Sequence, residues 1–279
     1  MNRKQKWVLI AVLINSHLSY GQTDRYGYVG LGAYSHTHTD IFSLLTNPAV
    51  LAQLENTTAA IYSQRMYLLN ELSNYQSLLG IHTSAGNFGL AMQYYGYSQF
   101  RKTEVGIAHA QKTGKNIAIG LRFNYTGIGI AGYGTASAIS AEAGVVFHLT
   151  PQVQAGIHSN NPVGGRFGKN HQEKLPSVYS MGIGYEPSPQ FFISATIVKE
   201  EDQPASVNAG FQYNFISSVF IRAGLTTGTA VVWTGIGLSY KRMRVDITTS
   251  YHPQLGITPG LILLFNFKTI TPVTNSEQE

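Results

Sequence analysis

The chain has 279 residues, no cysteine and a formal net charge of +5. Charged residues make up 12% of it, about half the share usual in a soluble domain, yet mean hydropathy is near zero and no apolar run of roughly 20 residues exists to form a transmembrane helix. A helical membrane protein is excluded, the lack of a Lys/Arg stripe argues against nucleic-acid binding, and few charges with 29 glycines and 17 tyrosines point to a transmembrane β-barrel.

The N-terminus reads as an address. Asn2-Arg3-Lys4-Gln5-Lys6 is basic, Trp7 to Ile14 is apolar, and Ser19-Tyr20-Gly21 sets small residues at −3 and −1 of a cleavage site. This predicts a signal peptide over 1–21. Residues 22–56 do not read as strands. Tyr28 to Tyr34 is Gly-rich, Ser35 to Asp40 is polar, Ile41 to Leu44 suits a helical turn capped by Asp40, and Thr46 to Leu51 turns the chain toward the first strand.

From about residue 57 apolar and small or polar residues alternate, as they do in strands whose successive side chains face opposite ways. Strands are predicted near 57–68, 75–84, 87–96, 103–111, 116–126, 137–149, 152–159, 177–186, 190–199, 206–216, 218–226, 230–240, 243–251 and 259–268. Connections after even-numbered strands are short, and those after odd-numbered ones run longer, notably 126–137, 160–177 and 199–206. Outer-membrane barrels sort their loops this way, with short periplasmic turns. The expectation is an all-β, antiparallel transmembrane barrel of about 14 strands over 57–268, with both termini periplasmic and a polar tail over 269–279. The first and fourth strands alternate poorly, which leaves a count of about 12 open, and His109 falls on the lipid face. Tyr94, Tyr125, Tyr185, Tyr213, Phe215, Tyr240, Tyr251, Phe265 and Phe267 lie near strand ends on the apolar parity, as in interfacial girdles.

The opposite parity is rich in glycine: 89, 106, 120, 144, 156, 182, 184, 210, 224, 235 and 237. Missing side chains leave room, so residues 22–56 are expected to enter the barrel as a plug; the alternative is that glycine serves curvature and the segment hangs in the periplasm. Arg122, Arg222, Arg244, Glu142 and Asp246 share that inward parity. Both signs are present, which favours a network holding the plug over a selectivity ring. Phe220, Trp233 and Tyr95 also point inward, either lining a pocket or packing on the plug. His36 and His38, with Asp40 nearby, could bind a metal, since i, i+2 spacing in an extended segment points both imidazoles the same way, but no cysteine or further placed ligand follows, a polar plug loop explains them as well, and no metal or cofactor is expected. His158-Ser159 and His82-Thr83-Ser84 are neighbours on opposite faces, so neither pair makes a catalytic site, and no enzyme is expected.

Gly30-Leu31-Gly32-Ala33-Tyr34, a polar stretch with Asp40, and Leu45-Thr46-Asn47-Pro48-Ala49-Val50-Leu51-Ala52 resemble the N-terminal signature of FadL-type outer-membrane barrels, in the branch containing PorV and PorQ. Asn160-Asn161-Pro162 resembles a loop of that branch. The resemblance implies a 14-stranded barrel in the bacterial outer membrane, surrounded by its lipid, with a plug in which Gly30, Gly32, Asp40, Asn47, Pro48 and Ala49 carry the motif. It also implies an accessory or cargo-presenting role in type IX secretion, with secretion proteins or surface cargo as partners. The alternative is a passive channel for hydrophobic small molecules.

Overall fold

A computed structural model of the chain describes residues 27–168 and 173–267. The predicted signal peptide, the start of the predicted plug and the tail lie outside the described residues.

Alternation in the sequence becomes fourteen long strands and one small hairpin. The first seven are β1 (Thr58–Arg65), β2 (Ser73–Ile81), β3 (Asn87–Gly96), β4 (Phe100–Thr113), β5 (Ile117–Ile130), β6 (Gly134–Thr150) and β7 (Val153–Asn160). The hairpin is β8 (Arg166–Phe167) with β9 (Glu173–Lys174). Then follow β10 (Val178–Ser188), β11 (Phe191–Glu200), β12 (Ser206–Ile216), β13 (Val219–Thr226), β14 (Val231–Tyr240), β15 (Met243–His252) and β16 (Gly256–Asn266). Apart from the hairpin, each pairs antiparallel with its neighbours, and β1 pairs with β16 to close the barrel. Closure leaves no edge with unpaired backbone groups, the condition for crossing lipid in strands. At the seam Thr58 Oγ1 donates to Asn266 Oδ1 at 2.7 Å.

The outer face is apolar. Ile107, Leu121, Phe123, Ile139 and Ile183 are exposed along the strands, and the aromatic residues at strand ends named above are all exposed as well. In water such a surface would aggregate; in a bilayer it meets acyl chains. The protein is a multi-pass barrel of the bacterial outer membrane. His109 faces outward, its ring 4.7 Å from that of Phe88.

Three predicted boundaries differ. The 126–137 segment, read as a long loop, is mostly wall: β5 and β6 stay paired from Thr126↔Ala138 to Ile130↔Gly134. Gly127 and Gly129 blur the apolar alternation there, but backbone pairing needs no side chain. The first strand stops at Arg65, because Tyr67 and Leu68 adopt φ of 55° and 62°, which no ladder accommodates. The 160–177 loop contains the small hairpin.

Residues 27–53 lie inside the barrel as a chain of short turns: α1 (Gly27–Gly30) and 3-10 turns over Leu31–Tyr34, Ile41–Leu45 and Pro48–Gln53. Asp40 caps the second of these by accepting from Phe42 N at 2.9 Å. Val29, Leu31, Ile41, Phe42, Leu44, Val50 and Leu51 are buried there. The inward glycines make the space. A Cβ on Gly120 would strike the backbone of Pro48 and Ala49, one on Gly144 the Asn47 side chain, and one on Gly182 the ring of Tyr34.

Candidate functional site

Two inward-facing groups of polar residues divide the lumen. The first fastens the inner segment. Asp40 Oδ2 receives Arg244 Nη2 at 2.9 Å and Arg222 Nη2 at 3.3 Å. Arg244 also grips Asp246 with two bonds of 3.0 Å, a planar fork on a carboxylate. Arg222 donates to Gln212 Oε1 at 2.7 Å. The Phe220 ring lies under both guanidinium groups, at 5.3 and 5.4 Å, in the space that Gly237 leaves open. Burial would raise the Asp40 pKa, but Arg244 and Arg222 outweigh it and hold the carboxyl below its ordinary value.

Asn47, with no exposed surface, fastens a second point. Its Nδ2 donates to the carbonyls of Val145 and Ile157 at 3.3 and 3.2 Å, while Oδ1 accepts from Ala49 N at 3.0 Å. The two donated bonds tie the segment to β6 and β7; Pro48 starts the next turn with its preset φ and no N–H to satisfy.

A third point is Glu186, at the end of β10. Ser35 Oγ and His36 N donate to its Oε2 at 2.8 and 3.0 Å, and Thr37 Oγ1 donates to Oε1. His38 Nδ1 pairs with Gln212 Nε2 at 3.0 Å, which places the ring proton on Nε2, 3.8 Å from Glu186 Oε1. Burial pushes the His38 imidazole down to about 4, with Glu186 opposing and Arg222 reinforcing. Glu186 was missed in the sequence reading, although it continues the inward series of Gly182 and Gly184.

The second group faces a chamber of about 970 Å³ between the inner segment and the outer loops. Val29, Leu31 and Leu45 form its floor; Tyr62, Tyr95, Phe100 and Trp233 supply aromatic wall; Tyr67 and Leu255 reach it from the loops. Of the three inward aromatics whose place was left open, Trp233 and Tyr95 line the chamber, whereas Phe220 stays under the arginines. Across β4 to β6 Arg122 Nη2 bonds Glu104 Oε1 at 3.0 Å and Arg122 Nη1 lies 3.5 Å from Glu142 Oε1. Glu142 also takes His158 Nε2 at 3.0 Å and Asn124 Nδ2 at 2.6 Å, and Ser180 Oγ stands 3.5 Å from His158 Nδ1. The five charged residues expected to act together thus separate: Arg222, Arg244 and Asp246 hold the inner segment, whereas Arg122 and Glu142 serve the chamber.

Ser180, His158 and Glu142 have the residue types of an acyl-transfer triad, assembled from three adjacent strands rather than from sequence neighbours. The flanking backbone N–H groups are spent in the ladders, leaving no backbone oxyanion pocket. His36, His38 and Asp40 diverge, His36 toward His148 at 5.1 Å between rings, and no group of three His, Asp or Glu placed to hold a metal occurs among the described residues.

No family model matches the chain, and no curated protein matches it. Solved structures do. The CymD monoaromatic hydrocarbon channel superposes with a TM-score of 0.66 at 14% identity, over 87% of this chain and 96% of that one. The Ralstonia pickettii toluene transporter TbuX gives 0.61 at 11% identity, over 88% and 100%. A Pseudomonas aeruginosa FadL homologue gives 0.56 at 10%, over 88% and 96%. The fold is therefore that of FadL-type outer-membrane channels. Nothing in these similarities points to the PorV and PorQ branch, which the N-terminal motif had suggested.

Proposed function

We propose that the protein is an outer-membrane channel that admits small hydrophobic molecules, with the chamber as its first binding site and residues 22–56 as its plug. The observation that carries this reading is the chamber: about 970 Å³, floored by apolar residues of a segment bonded into the barrel. A cavity of this size, mostly preformed and lined by aromatic side chains, suits a small-molecule ligand. The FadL-type fold supports it, since among the structures that share it CymD is a monoaromatic hydrocarbon channel and TbuX a toluene transporter. No catalytic step is assigned. Gly30, Gly32, Asp40, Asn47, Pro48 and Ala49 serve the plug in this reading, and the secretion role implied by the PorV and PorQ resemblance has no supporting observation.

The test is uptake of labelled toluene by cells producing the full-length protein against cells lacking it. Faster uptake that saturates with concentration is the expected result. Equal rates in the two strains, with the barrel present in the outer membrane, would sink the reading.

A further inference from the structure

The chamber is lined by both apolar and hydrogen-bonding side chains, and the mixture bears on what it takes. Every group on Glu142 is a donor: Arg122, His158, Asn124 and, at 3.3 Å, Asn160. The carboxylate is saturated, and across the cluster Arg122 and Lys102 balance the charges of Glu142 and Glu104. An ion entering here would find no net charge to pair with, and its desolvation would go uncompensated. His158 gives its Nε2 proton to Glu142, so Nδ1 is the acceptor turned toward Ser180. At 3.5 Å that contact is long for an O–H donor, and Ser180 Oγ and His158 Nδ1 both line the chamber. They form a donor–acceptor pair that holds each other loosely and has spare capacity. Trp233, whose ring covers Gly210 and Gly224 of β12 and β13, and Tyr62 line the same chamber, with Val29 and Leu31. A hydrocarbon filling this space would strip water from Ser180 and His158 and return no hydrogen bond, leaving both groups buried without a partner of full strength. A ligand carrying one hydroxyl would supply that partner.

Resting on the channel reading, we propose that the chamber selects neutral hydroxylated aromatic molecules over hydrocarbons and over anions, the hydroxyl bonding to His158 and Ser180 and the ring lying against Trp233 and Tyr62.

The chain has two tryptophans, Trp7 and Trp233, so the full-length barrel with Trp7→Phe reports on the chamber through Trp233 alone. Its fluorescence would be titrated in detergent with p-cresol, with p-xylene, which replaces the hydroxyl by a methyl of similar size, and with p-toluate. The expected result is p-cresol tighter than p-xylene by about tenfold, with p-toluate weakest. Ser180→Ala should bring p-cresol close to p-xylene, by weakening p-cresol and tightening p-xylene, which no longer has to desolvate the hydroxyl; His158→Leu should do the same, and heat-modifiable migration on a gel verifies that each variant folds. Equal affinity for p-cresol and p-xylene, or a p-cresol affinity indifferent to Ser180→Ala, would overturn the proposal while leaving the channel reading intact. Tightest binding by p-toluate would overturn it too. Saturable binding of none of the three would remove both.

Discussion

Asp40, in the segment inside the barrel, lies 2.9 Å from Arg244 on the penultimate strand, and this contact fixes the inner segment across the lumen. Arg244 is itself held by Asp246, so the pair is braced from the wall side. Removing one partner of a buried pair costs about 3–5 kcal/mol, because the other is left uncompensated. Asp40→Ala should therefore release the plug. Protease cleavage within 27–53 should speed up at least tenfold, and planar-bilayer recordings should show longer openings. Unchanged cleavage would mean that Asn47 and Glu186 suffice to hold it.

Acid should loosen the same segment. An undocked His38 titrates near 6.5 and the docked one at about 4. Between those values the undocked state binds the proton that the docked state refuses, so docking is strongest above about pH 6.5 and weakens as pH falls toward 4. Openings at pH 4.5 should outnumber those at pH 7. His38→Gln, which cannot titrate, should flatten that slope; an equally steep slope in this variant would assign the effect elsewhere.

Glycine at positions 144 and 182 is required by what presses on it. Gly144→Val would meet Asn47, and Gly182→Leu the Tyr34 ring. Overpacking of this kind costs about 1–3 kcal/mol, and the plug has less to lose by moving than the wall does. Both variants should still migrate as closed barrels on unheated gels while their plugs become protease-sensitive. Failure to form the barrel would show that the plug and wall fold as one unit.

Ile107 is 61% exposed on the outer face of β4. Ile107→Arg places a charge in the acyl region and should lower stability by about 2–4 kcal/mol, measured by urea unfolding in lipid vesicles. Tyr133→Arg, at the 131–133 turn where exposure reaches 91%, should leave stability unaltered. Equal effects would contradict the lipid-facing assignment of β4.

How much was legible follows from what a period of two encodes. Parity told which face each residue takes, so the wall, the lipid-facing aromatics and the inward glycines could be read directly. Parity does not tell height within the tilted barrel, so Arg122 and Arg222 looked equivalent although one meets Glu104 and the other Asp40. Side chains from neighbouring strands meet through register, which the sequence does not state; His158 was weighed against Ser159, its neighbour in sequence, when its partner is Ser180 across the β7–β10 pairing. The N-terminal motif falls on turns that lie inside the barrel, where Asn47 caps one of them by accepting from Ala49 N, while the branch it resembles gains no support from the solved structures that share the fold.

The plug's fastening points also set an order of events. Asp40 and its partner Arg222 are 182 positions apart, and Arg244, Asp246 and the β1–β16 seam come later still. The inner segment, which precedes the whole wall in the chain, is thus secured only late, and until β13 and β15 join the wall its aspartate lacks Arg222 and Arg244. A barrel whose C-terminal strands fail to insert would therefore keep an unlocked, protease-exposed N-terminus, so that incomplete assembly is marked at the opposite end of the chain from the fault.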